Sequence, residues 1–111
     1  MKNAVSQKML FQLHAEVCKT LSHAKRLEIL DILRDEEWSV GDIVNKMQIS
    51  KANVSQHLAL MRKSGILETR RDGAAIYYRI SNPKVIKAYD LMREVLVDHH
   101  TQKNNLLKRF K

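Results

Sequence analysis

Apolar positions recur along this chain at helical spacing in five segments and alternate in one short stretch. Met9, Leu10, Leu13, Val17 and Leu21 share one face of a helix predicted from Ser6 to about Thr20. Ser22 is placed to cap a second helix, His23 to Arg34, with an inward stripe of Leu27, Leu30 and Leu33 broadened by Ile29 and Ile32. An acidic link, Asp35-Glu36-Glu37, leads through Trp38, expected as a packing plug, to a third helix from Val40 to Met47 capped by Ser39. Gln48-Ile49-Ser50 then turns the chain into a fourth helix. There Val54, Leu58 and Met61, at i, i+4 and i+7, form a single apolar stripe, and Gly65 can end the helix with positive φ.

Beyond Gly65 the period shortens to two. Ile66 to Arg70 and Ala75 to Ile80 are predicted strands around a turn at Arg71-Asp72-Gly73, with Ile76, Tyr78 and Ile80 facing inward and Tyr77 and Arg79 outward. Asn82 and Pro83 open a last helix. Along it Val85, Tyr89, Met92, Leu96 and His99 step by four, three, four and three, a heptad-like seam. That seam exceeds what the chain's own core needs. It predicts pairing with a second copy of the chain, alongside Leu10 and Leu13 of the first helix; the alternative is that it closes the monomer core. The expected architecture is mainly α with a small β-hairpin: five helices and a two-stranded wing, a winged helix-turn-helix whose usual business is reading DNA. One such domain is expected over residues 6–103, with a disordered start at 1–5 and a basic tail at 104–111.

Charge sharpens this picture. Residues 1–50 hold seven Lys/Arg and seven Asp/Glu, whereas residues 51–111 hold thirteen against five and so carry the whole net charge of +8. A basic half that begins at the fourth helix suggests a polyanionic partner; the alternative for charge alone is a solvated basic surface. The chain length suits a single domain. With no run of apolar residues long enough to span a bilayer and no signal peptide, no membrane association is expected. The single Cys18 cannot form an internal disulfide and fits a reducing cytoplasm.

The candidate DNA-binding side chains lie on the fourth helix and the hairpin. Lys51 sits in the first turn, where the helix dipole disfavours a cation by about 0.3–1 kcal/mol. A phosphate bound there would reverse that preference; the alternative is a tolerated surface lysine. Asn53, Gln56 and His57 are expected to point outward to base edges, and Asn or Gln can pair bidentately with adenine. Ser50, Ser55 and Arg62 complete the same face. On the hairpin, Arg70, Arg71, Tyr77 and Arg79 suit the phosphate backbone or the minor groove. The expected partner is double-stranded DNA carrying an inverted repeat, met by a homodimer. A protein-interaction module whose basic face is incidental is the alternative. No Gly-rich phosphate loop and no nucleophile–base pair is present, so no enzymatic activity is expected.

Leu21-Ser22-His23-Ala24-Lys25-Arg26-Leu27-Glu28-Ile29-Leu30 resembles the L-S-x-x-x-R-L-x-I-L opening of the ArsR–SmtB regulators, the arsenic- and metal-sensing repressor family. Ile49-Ser50 through Leu67 resembles that family's I-S-x-x-x-V-S-x-H-L-x-x-L-x-x-x-G-L segment, and Arg71-Asp72-Gly73 with Tyr77-Tyr78 resembles its wing. The resemblance covers roughly residues 10–100 and implies a homodimeric cytoplasmic repressor that leaves its operator when an inducer binds. The sensing sites depart from the pattern. The family's thiolate site reads E-L-C-V-C-D-L; here Glu37-Trp38-Ser39-Val40-Gly41-Asp42-Ile43 puts Ser39 and Gly41 where sulfur would be. At the positions matching the family's zinc site stand Asn82, Lys84, Val95 and Asp98, of which only the last could ligate.

Neither usual site is therefore expected to work, and no cofactor is expected. The remaining soft or borderline donors are His14 and Cys18, one turn apart on the first helix, and His99 and His100 near the end of the last. Together they could hold zinc, or haem through Cys and His. The plainer reading is a small buried cysteine and surface histidines.

Overall fold

The computed structural model describes residues 5–109, with side chains described through residue 105. In chain order the elements are α1 (Gln7–Leu21), α2 (Ala24–Ile32), β1 (Trp38–Ser39), α3 (Val40–Met47), α4 (Lys51–Lys63), β2 (Leu67–Asp72), β3 (Ala75–Ile80) and α5 (Lys84–Arg109). All five expected helices form. The sheet has three antiparallel strands in the order β1-β3-β2 rather than two. The added strand pairs Trp38 with Tyr78 and Ser39 with Tyr77. Two residues are too short to show a period, so this pairing is set by tertiary contact with β3. Trp38 is half-buried at its edge, and residues 38 and 39 join the sheet directly to the start of α3.

Serine hydroxyls start three of the helices in the same way. The Oγ of Ser6, Ser39 and Ser50 each accepts a bond of 3.1 Å from the backbone N–H three residues on, at Met9, Asp42 and Asn53. Each cap is worth about 1 kcal/mol. Ser22 does not act this way. Its hydroxyl and its backbone N–H both donate to the Lys19 carbonyl, at 2.7 and 3.2 Å, so it closes α1 instead of opening α2. His23 then precedes α2 with no side-chain cap.

The core of the first 81 residues is Ile29, Leu30 and Leu33, Ile43 of α3, Val54, Leu58 and Met61 of α4, and Ile66 and Leu67, all buried. Leu27 was expected among them but is 36% exposed. At 3.6 residues per turn it lies about 115° around α2 from the centre of Ile29, Leu30 and Leu33. Its spacing to Leu30 suggested a shared face; the two adjacent isoleucine and leucine positions pull the buried face away from it. Ile32, about as far off on the other side, is half-buried.

Gly65 (φ +85°) ends α4 with its N–H on the Arg62 carbonyl at 3.0 Å, while the Ile66 N–H reaches the Met61 carbonyl at 3.1 Å. This pair of bonds is the Schellman arrangement, with Met61 and Ile66 both buried beneath it. The first strand of the hairpin starts one residue later than expected, at Leu67, and runs two residues further, through Asp72. Asp72 pairs with Ala75, leaving Gly73-Ala74 as a two-residue loop with Gly73 at φ +62°.

The chain divides into two compact units, Met1–Ser81 and Asn82–Lys111. In the second unit α5 starts with the Lys84 N–H on Asn82 Oδ1 at 2.9 Å and continues through Arg109. It therefore takes in residues 104–109 of the stretch assigned to a basic tail. Residues 1–4, most of the expected disordered start, lie outside the described residues. Among the described residues no helix is long and apolar enough to cross a membrane.

Candidate nucleic-acid interface

Helix α4 presents a sharply divided surface. Val54, Leu58 and Met61 are buried, while Lys51, Asn53, Ser55, Gln56 and Arg62 are exposed, with Ser50 exposed at its cap. Helix geometry puts Gln56 near the centre of the outward face, with Asn53 on one flank and Lys51, Ser55 and Arg62 on the other. Short side chains at Ala52 and Ala59 border Gln56 and leave it prominent. Neither Gln56 nor Asn53 makes a side-chain hydrogen bond among the described residues, so both keep donor and acceptor groups for an incoming partner.

His57 is placed differently from its expected role. It is half-buried, and its Nδ1 accepts from Arg26 Nε at 3.1 Å. Its ring centroid lies 5.3 Å from that of His23. Arg26 extends the link by donating from Nη1 to the Thr20 carbonyl at 2.9 Å, so one guanidinium ties the end of α1 to α4. Burial pushes the His57 pKa below its usual value, helped by the positive charges of Arg26 and His23. Residue 57 stands only about 60° from the buried stripe on the helical wheel, which turns it inward; a list of polar residues in sequence hides that angle.

The hairpin arginines are also not equivalent. Arg70 Nε lies 3.1 Å from both carboxylate oxygens of Glu37, and its Nη2 donates to Glu37 Oε1 as well. Asp72 Oδ2 is 3.9 Å from Nη1, and the guanidinium lies 4.7 Å from the centroid of the half-buried Tyr77 ring. Arg70's hydrogen bond holds the Glu37 carboxyl below its ordinary value, against the opposing effect of burial. Arg79 Nε is 2.6 Å from Glu68 Oε1, its cross-strand neighbour. Arg71 alone of the three makes no ion pair or side-chain hydrogen bond among the described residues. Neither Glu37 nor Glu68 was anticipated. The register Glu68↔Arg79 was available from the hairpin once its turn was placed; the Glu37 contact crosses 33 residues and was not.

Between α3, the start of α4 and the wing lies an open cleft of about 590 Å³, lined among others by Ser39, Gly41, Lys51, Ser55, Ala75 and Tyr78. Lys51 is its one charged residue.

Four of the six seam residues are exposed. Leu10 and Leu13 of α1 are 51% and 48% exposed, and Met92 and Leu96 of α5 are each 59% exposed; Val85 and Tyr89 are half-buried. The sensing positions do not fit a metal. Ser39 Oγ is already engaged as the α3 cap, Gly41 has no side chain, Asn82 caps α5 and Val95 offers no donor. His14, Cys18, His99 and His100 are all exposed, so the small buried cysteine expected at 18 is not what forms. Among the described residues no three His, Cys, Asp or Glu side chains gather as a metal site.

A capped helix, a tight turn, a second helix with a prominent polar face and an adjoining basic hairpin define a winged helix-turn-helix regulator. The family description "Bacterial regulatory protein, arsR family" matches residues 23–69. The HTH-type transcriptional regulator Rv0081 of Mycobacterium tuberculosis is 36% identical over 88 residues, 78% of this chain and 77% of that one. Its crystal structure superposes with a TM-score of 0.78 at 34% identity, covering 85% of this chain and 95% of that chain. The transcriptional activator HlyU of Vibrio cholerae is 32% identical over 77 residues, 69% of this chain and 71% of that one. A solution structure from Mycobacterium bovis, described as the homodimeric winged helix-turn-helix DNA-binding domain of Mb0332, matches with a TM-score of 0.78 at 31% identity, covering 89% of this chain and 93% of that chain. The chain belongs to the ArsR family, and it is a transcriptional regulator of that family.

Proposed function

We propose that the protein is a repressor that binds an inverted-repeat DNA operator as a homodimer. The observation that carries the DNA reading is the outward polar face of α4, with Gln56 at its centre and Asn53 beside it, set next to an unpaired Arg71 on the wing. Dimerisation is supported by the exposed apolar residues of α1 and α5 and by the homodimeric state described for the Mb0332 domain. A two-fold pair of recognition helices calls for half-sites about one helical turn apart, roughly 10 base pairs centre to centre. The donor chemistry at Ser39, Gly41, Asn82, Lys84 and Val95 further supports a regulator that does not respond to soft metals or zinc at the family's usual positions.

The test is to select operator sequences from a random duplex library, then measure binding of two variants to the selected site and to mixed-sequence DNA. Gln56→Ala is expected to lose roughly 1–3 kcal/mol of discrimination at particular base pairs. Arg71→Ala should weaken both DNAs alike. Failure to enrich any palindrome would reject the operator, and equal losses on both DNAs for Gln56→Ala would reject its role as a reader.

A further inference from the structure

Three elements meet at one guanidinium. Arg26, half-buried in the first turn of α2, donates from Nη1 to the Thr20 carbonyl in the last turn of α1 and from Nε to His57 Nδ1 in the middle of α4. Arginine keeps its proton at any ordinary pH, so the second bond forms only while His57 Nδ1 has its lone pair, with the ring hydrogen on Nε2. A proton added at Nδ1 turns that acceptor into a donor facing a donor and brings two positive charges together. The surroundings offer nothing to offset the charge. The groups acting on the ring are Arg26 and His23, whose ring centroid is 5.3 Å away, and both oppose the added proton. Its neighbours one turn away on α4 (Asn53, Val54, Leu60 and Met61) are uncharged, and α1 presents a backbone carbonyl. Neither α3 nor the wing brings a carboxylate to it among the described residues. Burial and the two basic neighbours hold His57 below its ordinary pKa, so the link is closed at neutral pH and opens in acid.

We propose that Arg26 is a positioning residue for DNA reading, holding α4 to the end of α1 through His57, and that a proton on His57 releases that hold. The inference rests on the DNA and homodimer readings above and adds a regulation to them, in which acid lowers sequence preference. Helix α1 carries Leu10 and Leu13 of the proposed contact with the second copy, and α4 carries Gln56. The path from a recognition helix to the two-fold axis therefore crosses the joint that Arg26 bridges. His57 also follows Gln56 directly in the chain, so a shift of its ring acts beside the central reader. A side chain that pairs with a base edge must be placed to within about 0.5 Å. Lysines and arginines that meet phosphates carry no sequence information, and their long stems follow small movements. Acid should therefore erode discrimination between sequences more than it erodes overall affinity.

The quantity to measure is that discrimination: affinity for the duplex enriched from the random library, divided by affinity for a mixed-sequence 30-base-pair duplex. Both are titrated at pH 7.5 and 5.5 at constant ionic strength. Charge gained by exposed histidines strengthens both DNAs alike and cancels in the ratio. For the wild type the ratio is expected to fall about ten-fold or more at pH 5.5, the scale of a lost bidentate base contact. His57→Asn, whose Oδ1 stands in for Nδ1 and accepts at any pH, should keep the high ratio at both pH values. Arg26→Ala should show the low ratio at both, and His23→Gln should respond as the wild type does. Circular dichroism at each pH establishes that the proteins compared are folded; should Arg26→Ala not fold, His57→Asn against wild type decides alone. A wild-type ratio that does not change with pH, or a His57→Asn ratio that falls with it, would overturn the proposal while leaving DNA reading intact. A wild type without sequence preference at pH 7.5 would instead remove the DNA reading, and this proposal with it.

Discussion

The bidentate pair between Arg70 and Glu37 makes a prediction that runs against ordinary intuition about mutating a salt bridge. Arg70 sits on the wing, where a cation should meet phosphate, yet its guanidinium is already held by Glu37, with Asp72 nearby. Arg70 is exposed and Glu37 half-buried, so the pair keeps contact with solvent and Glu37→Gln should change stability little. Its effect on DNA binding should be larger. In the native protein a phosphate that takes Arg70 must displace a carboxylate, and the released Glu37 gathers a cation as the DNA loses one. That contact then adds almost nothing to the salt slope.

With glutamine at 37 the compensating anion is gone. Each Arg70–phosphate contact should then steepen the slope of log K against log salt by about 0.9, or about 1.8 for a dimer. Between 50 and 200 mM salt the advantage of the variant should therefore shrink about twelve-fold, with the tighter binding at the low-salt end. Fluorescence anisotropy on one labelled duplex at four salt concentrations measures this directly. Identical slopes for wild type and Glu37→Gln would show that Arg70 is a strut of the wing and touches no phosphate. Weaker binding by the variant would show that the Glu37 contact holds the wing in its binding shape.

Four further outcomes are expected. Replacing Met92 and Leu96 with glutamate should convert dimers to monomers in sedimentation; a wild type already monomeric at micromolar concentration would refute pairing through these helices. His57 is held below its usual pKa of 6.5, so as pH falls below about 6.5 the unfolded chain takes its proton first and stability declines towards the folded value. His57→Gln should remove that part of the decline from melting temperatures measured between pH 7.5 and 5, and an unchanged profile would count against it. Gln48 holds φ +59° at the end of α3, so Gln48→Gly should relieve roughly 1 kcal/mol of backbone strain, set against loss of its side-chain bond to the Asn45 carbonyl, and a lower melting point would show the bond matters more. Arsenite, cadmium and lead should leave duplex affinity unchanged, because a ligand without differential affinity for two states cannot shift them; release by zinc or haem that vanishes in Cys18→Ala and His14→Ala would instead assign a sensing role to those residues.

The helices were legible in the sequence because their signals are local. Serine caps at 39 and 50 and the stripe Val54-Leu58-Met61 need only neighbours within a turn or two. The strand at Trp38–Ser39 was not legible, because two residues carry no period and their pairing with Tyr77 and Tyr78 closes a loop of about forty residues. Ser22 misled for a related reason. A serine between two helices can serve either, and the Lys19 carbonyl won it.

On α4, Gln56, Asn53, Ser55 and Lys51 are exposed as the helical pattern predicts, whereas His57, assigned to the same outer face, is half-buried. The partners of Arg70 and Arg79 decide how available those charges are, and the more distant of them, Glu37, is fixed only by the folded chain.

The joint at the end of α4 has one further consequence. Ile66 donates its N–H to the last turn of α4 and accepts from the Ser81 N–H on its carbonyl at 2.9 Å, just past the end of the returning strand. The hairpin's base is thus pinned by main-chain bonds at the residue just after the glycine that ends α4. The offset between helix and hairpin is consequently a property of the backbone, indifferent to what either displays at its tip. Substitutions at Gln56 or Arg71 can accumulate on such a caliper without changing its span.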